Sequence, residues 1–154
     1  MKKQLLLVIP MIFLMSMGTL HSQTNPKRQI DRFFDMYRTN PEKAIDFIFS
    51  LNPIFEKENK AQADNVKTKL LNAIPLLGKY YSNEKISEKW MGGSLTVATY
   101  MVKYERQPIR FTFKFYKPLR EFILLGFSFD DNLGNELEQA AKYDAILYMT
   151  KDQN

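Results

Sequence analysis

Asp46 lies in the run Ala44-Ile45-Asp46-Phe47-Ile48, a carboxylate among apolar neighbours. In an apolar setting such a group has its pKa raised and can serve as a general base. The competing reading is a solvent-facing helix position that shares its side with Lys43 and Ser50. A second set joins cations to rings. Lys103, Arg106, Arg110, Lys114, Lys117 and Arg120 are interleaved with Tyr100, Tyr104, Phe111, Phe113 and Tyr116. That mixture suits an anion, a partner surface or a single-stranded nucleic acid. Strand alternation puts the Phe residues opposite Arg110 and Lys114, which favours a solvated face over a nucleic-acid platform. Tyr104, Arg110, Tyr116 and Asp46 are therefore the candidate ligand-binding residues. A third set, Asp130-Asp131-Asn132-Leu133-Gly134-Asn135-Glu136, is rich in oxygen ligands. Its spacing differs from a calcium loop, and acidic residues also suit the first turn of a helix.

Other chemistries are excluded by composition. The chain has no Cys and one His. That residue, His21, follows Met1-Lys2-Lys3 and the apolar run from Leu5 to Met17. Two lysines, a short apolar core and Ser22 before Gln23 form a signal-peptide pattern, and the run is short for a membrane span. The expected organisation is a signal peptide over residues 1–22 and a single domain over 23–154, exported to the periplasm or beyond. A cut after Ser22 removes Lys2, Lys3 and His21, lowering the formal charge of +5 by two to +3. The remainder lacks the His base of Ser-His-Asp catalysis, both partners of Cys-His catalysis, and the ligands of zinc sites built on His or Cys. No metal, no cofactor and no nucleic acid is expected, and disulfides are impossible.

The elements that must position these residues centre on Ser94 to Phe129. Ile109, Phe111, Phe113 and Phe115 alternate with Arg110, Thr112, Lys114 and Tyr116, which defines a strand with one apolar face. Leu95 to Glu105 is a second strand, with Tyr100, Val102 and Tyr104 on one face. Glu121 to Phe129 is apolar on both faces, and Gly126 within it marks a bulge or a close backbone approach. Lys79 to Trp90 is a more polar fourth strand, nearer an edge. The short connections predict an antiparallel meander.

Helices flank it. Asn25-Pro26 and Asn40-Pro41 are cap-plus-proline starts. Ile30, Phe33, Phe34 and Tyr37 share one helix face. A third helix is predicted from about Lys57 to Leu77, kinked or shortened by Pro75 and capped by Gly78. A terminal helix carries Leu137, Ala140, Ala141, Leu147 and Tyr148. The fold class is α+β, with N-terminal helices packed on an antiparallel sheet of about four strands plus a C-terminal helix.

This order, with Tyr104-Glu105-Arg106-Gln107-Pro108-Ile109-Arg110-Phe111 and Phe115-Tyr116-Lys117-Pro118, resembles the nuclear transport factor 2-like superfamily of cystatin-like α+β shape. The quoted segments are similar to those of small exported bacterial proteins of this shape. The resemblance implies a curved sheet whose concave face, under the helices, holds a cone-shaped pocket. Two departures stand out: Asn52 to Glu56 is short for the strand that family often carries there, and the terminal helix is an addition. Family enzymes use an Asp or an Asp-His arrangement, and no catalytic residue carries over.

The expected function is thus an exported, non-catalytic domain that binds a small-molecule or protein ligand. The alternative is a small isomerase- or dehydratase-like enzyme using an Asp or Tyr in the cone. A carboxylate beside a hydrogen-bonding Tyr at the base of the cone marks the enzyme; a filled cone marks the binder. The second apolar face of the Glu121–Phe129 strand needs a cover, either a second copy in a homodimer or the terminal helix folded back. Protein purified from its native cells should begin at Gln23 and be recovered outside the cytoplasm; an intact Met1, read by mass spectrometry, would contradict the export reading.

Overall fold

The computed structural model describes residues 25–151, and side chains up to residue 145. The 1–22 segment and the expected cut after Ser22 lie outside the described residues. In chain order the elements are α1 (Pro26–Tyr37), α2 (Pro41–Ser50), a 3₁₀ turn (Pro53–Phe55), α3 (Lys60–Leu77), β1 (Tyr80–Met91), β2 (Leu95–Tyr104), β3 (Ile109–Tyr116), β4 (Ile123–Asp130) and α4 (Leu133–Lys151). The four strands form one antiparallel sheet in the order β1-β2-β3-β4. This is the expected α+β class, with N-terminal helices ahead of a four-stranded sheet and a helix after it.

One local device starts three helical pieces. Asn25, Asn40 and Asn52 each precede a proline, and each side-chain oxygen accepts a backbone N–H of the first turn, from Lys27 (2.9 Å), Lys43 (2.9 Å) and Ile54 (3.1 Å). The cap satisfies a donor that the helix leaves orphaned, and proline at the next position has no donor to satisfy. Asn52 does a second job. Its Nδ2 donates to the Leu124 carbonyl at 2.8 Å, tying the turn after α2 to β4.

α3 starts three residues later than the spacing predicts, after a run of turns, and Pro75 does not cut it short. The last carbonyls of a helix have no intrahelical donor, so the last turn needs outside partners. Arg106 supplies them. One guanidinium nitrogen donates to the carbonyls of Pro75 (3.2 Å) and Leu76 (2.9 Å), and the Arg106 backbone N–H donates to Leu77 (3.1 Å). Gly78 ends the helix at φ +85°, and a Cβ there would meet Glu105 Oε2 at 2.7 Å. The left-handed φ is what calls for glycine; a side chain there would also have to push the Glu105 carboxylate aside. The Glu105-Arg106 pair is thus a clamp between α3 and the end of β2.

The core lies between the helices and one sheet face. Ile109, Phe111, Phe113 and Phe115 all point into it, as their alternation predicts. Thr96, Ala98, Tyr100, Val102 and Tyr104 do the same from β2. From α1, the fully buried Phe33 ring meets Phe113 (5.2 Å between centroids), Phe127 (5.5 Å) and Phe111 (6.0 Å), mostly edge to face. Edge-to-face pairs add to the stabilisation that area burial already gives.

β4 corrects the reading of a strand apolar on both faces. Phe115 pairs with Leu124 but Lys114 pairs with Gly126, which leaves Leu125 as the extra residue of a bulge. One inserted residue flips the alternation. Leu124 and Phe127, three apart, both face the core, while Leu125 turns out to solvent. Phe129 packs against the core as well. The strand begins at Ile123, so Glu121 and Phe122 belong to the connection before it.

The outer face of the sheet is accordingly polar at its centre. Ser87, Thr99, Thr112 and Ser128 form a row of hydroxyls across all four strands, and the Ser87 and Thr99 oxygens are 2.8 Å apart. The apolar face that suggested a sheet-to-sheet dimer is absent there. Nor does α4 fold back as the other candidate cover: Leu137 and Tyr143 are 73% and 63% exposed. α4 is held at its start, where Arg110 spans Asp130 and Glu136.

Phe113→Ala should destabilise the fold by about 3–5 kcal/mol, the range for truncating a buried Phe. Thr112→Ala, on the outer face, should cost far less. Urea unfolding of the two variants checks the strand phase, which equal losses would contradict.

Candidate functional site

The helix-covered face of the sheet, which the resemblance implies is concave and holds a cone, is filled. Phe33, Phe34, Tyr37, Phe111, Phe113 and Phe127 occupy it as one contiguous group of rings. Near the end of β2 the Tyr37 and Tyr104 hydroxyls meet at 2.5 Å, with the Tyr80 ring edge-on to both. Tyr37 sits on the α1 stripe and Tyr104 on the inward face of β2, so each element's period carries its hydroxyl to the same point. Burial raises both pKa values; Tyr104 is pushed up to about 12. Neither phenol is a base near neutrality. Thr96 is the one buried polar or charged side chain outside the tyrosines among the described residues, so no carboxylate joins this pair.

The four candidate residues are not brought together. Tyr104 is in the core. Asp46 is exposed on α2, where it and Glu42 grip Lys67 of α3 at 2.7 and 3.0 Å. It borders an open recess of about 220 Å³ between α2 and α3. Arg110 is on the outer face, chelated by Asp130 through two 3.0 Å contacts and bonded to Glu136 at 2.7 Å. These partners raise its pKa, Glu136 most. Its guanidinium is committed to holding α4, and Asp130 is equally committed to Arg110. Tyr116 is exposed at the other end of β3. The basic-and-aromatic set dissolves likewise. Tyr100, Tyr104, Phe111 and Phe113 face inwards, Lys103 pairs with Glu84 at 2.6 Å, and Arg106 caps α3.

The surface that remains is one end of the sheet. Register places Met91, Leu95, Tyr116 and Ile123 in a row across the outer face, one from each strand. The turn from β1 to β2 and the connection from β3 to β4 lie together there, joined by the Lys117 N–H donating to the Ser94 carbonyl at 2.8 Å. Leu119 in that connection is 89% exposed and Met91 is 73% exposed. Trp90, half-exposed, packs edge-on against Phe122 at 5.9 Å, and Lys117 Nζ sits 5.2 Å over the same ring. Pro118, Leu119, Arg120, Glu121 and Ile123 line an open recess of about 540 Å³. Sequence reasoning passed over this end because the residues are scattered from Lys89 to Ile123; only the register collects them.

Comparison with protein-family models, curated proteins and solved structures finds no match for this chain.

The tyrosine pair yields a stability prediction. Tyr104→Phe strands the Tyr37 hydroxyl and should cost about 1–3 kcal/mol, while the double Phe variant should lose less than the sum of the singles. The folded-state pKa of Tyr104 stands above the ordinary 10.0, so its contribution is complete below pH 10 and is lost as pH rises towards about 12. Denaturation at a series of alkaline pH values should show that decline, and the double Phe variant should flatten it.

Proposed function

We propose that this protein is an exported, non-catalytic binding domain that works through its surface rather than an internal pocket. The observation that carries the reading is the ring-filled, helix-covered face, with a tyrosine pair and no carboxylate at its base. A catalytic cone requires space for substrate and a titratable group aimed into it. Here the space is taken by Phe side chains, and the tyrosine protons are held more tightly than in water. The helices laid on one face of a four-stranded meander support the resemblance to the nuclear transport factor 2-like superfamily. Within that resemblance the chain is a member whose pocket is closed by its own core. The signal-peptide pattern of residues 1–22 supports export.

The competing enzyme reading makes a distinct demand. Challenged with the small carbonyl and hydroxy compounds that isomerases and dehydratases process, the protein should show neither turnover nor a ligand-induced rise in melting temperature. A turnover abolished by Asp46→Asn or Tyr104→Phe, in variants that melt cooperatively, would overturn the binding-domain reading.

A further inference from the structure

We infer that the sheet end carrying Trp90, Met91, Leu95, Tyr116 and Leu119 docks onto an anionic lipid surface. The inference rests on the surface-binding reading above and gives that surface a partner. Three observations at this end support it.

The first is the placement of apolar side chains. Leu119 and Met91 project from two adjacent turns, at 89% and 73% exposure, more than any core packing would leave. Tyr116 shares the outer face with Met91 at 40% exposure, and Trp90, on the other face of β1 against Phe122, is 48% exposed. Amphipathic rings on either side of exposed apolar side chains match the gradient from headgroup to acyl chain, where one end of the ring is wet and the other dry.

The second is charge. Lys89 and Lys114 lie in the cross-strand row directly behind the apolar one, paired through Val97, and Lys117 and Arg120 flank Leu119. Against these four cations the tip has two carboxylates, Glu121 and Glu88. Glu88, on the same face of β1 as Trp90, accepts from the Trp90 indole N–H at 3.2 Å and pairs with Lys85 at 2.8 Å, which leaves the tip net positive. Lys89, Lys114 and Arg120 have no carboxylate partner among the described residues, whereas Arg110, Lys67 and Lys103 elsewhere all do. Cations left unpaired around an apolar tip complement a negatively charged headgroup layer, and their long stems can lie along apolar surface while the charge stays in water.

The third is anchorage. The tip is not a loose loop. The hydrogen bond between Lys117 and Ser94, the Lys117–Phe122 stack and the Trp90–Phe122 contact fix the two turns to each other. A preorganised tip loses little entropy on docking. The contact proposed is peripheral, at the tip; no helix among the described residues is long and apolar enough to cross a membrane.

Trp90 is the only tryptophan in the chain, which makes the test direct. Full-length protein is titrated with vesicles of phosphatidylglycerol mixed into phosphatidylcholine, and with phosphatidylcholine alone, while Trp emission is followed. The expected result is a blue shift with the anionic vesicles, lost in high salt and absent with neutral ones. Leu119→Ser combined with Met91→Ser, and separately Lys114→Glu combined with Arg120→Glu, should each weaken vesicle binding by at least about tenfold. These positions are exposed, and circular dichroism confirms that the variants fold. Leu137→Ser and Tyr143→Ser on the exposed α4 should bind as the parent does, which separates the tip from general surface apolarity. Unshifted Trp emission overturns the proposal even if vesicles capture the chain, since contact then lies elsewhere, as with the apolar N-terminal run. An equal shift with neutral vesicles, or tip variants that bind like the parent, overturns it as well. None of these outcomes touches the filled, helix-covered face, so the lipid proposal can fail while the binding-domain reading stands.

Discussion

The packing of one helix against two strands governs the rest of the molecule. Phe33 of α1 is fully buried among Phe111 and Phe113 of β3 and Phe127 of β4, and that contact decides what the helix-covered side of the sheet can hold. Rings at this density exclude water and ligand alike. A domain without disulfides must find its stability in such packing, and here stabilising the fold and emptying a pocket are incompatible uses of the same space. The single polar pair left inside, Tyr37 with Tyr104, satisfies itself and offers nothing to a substrate.

What the sequence reveals follows from how local each feature is. β3 was fully legible, because strict alternation over eight residues admits one phase and the helices could cover only the Phe side. The asparagine-proline starts of α1 and α2 were legible for the same reason, being complete within a few residues. β4 was misread although Gly126 gave notice of an irregularity. A bulge changes which side chains share a face, but its exact position depends on the neighbouring strand. Leu125 rather than Leu124 was expelled because Leu124 stands opposite Phe115.

The candidate site was harder for a related reason. Tyr37 and Tyr104 each sat on a correctly read face, yet nothing within either element says that their hydroxyls meet. Arg110 looked available because its carboxylate partners, Asp130 and Glu136, come from later elements. Arg106 looked like surface charge because the orphan carbonyls it meets end α3, a helix some thirty residues earlier in the chain. In each case side-chain chemistry was apparent from the residue type, and its commitment to a partner was not.

The meander has a further consequence for how the chain acquires its shape. Every strand pairs only with its neighbour in sequence, so each pairing closes a short stretch of chain. Loop-closure entropy is then low at every step, and low contact order goes with rapid folding. The helices add the longer closures, since Phe33 reaches Phe113 of β3 and Asn52 reaches Leu124 of β4. A chain with no cysteine also has no oxidation step to wait for.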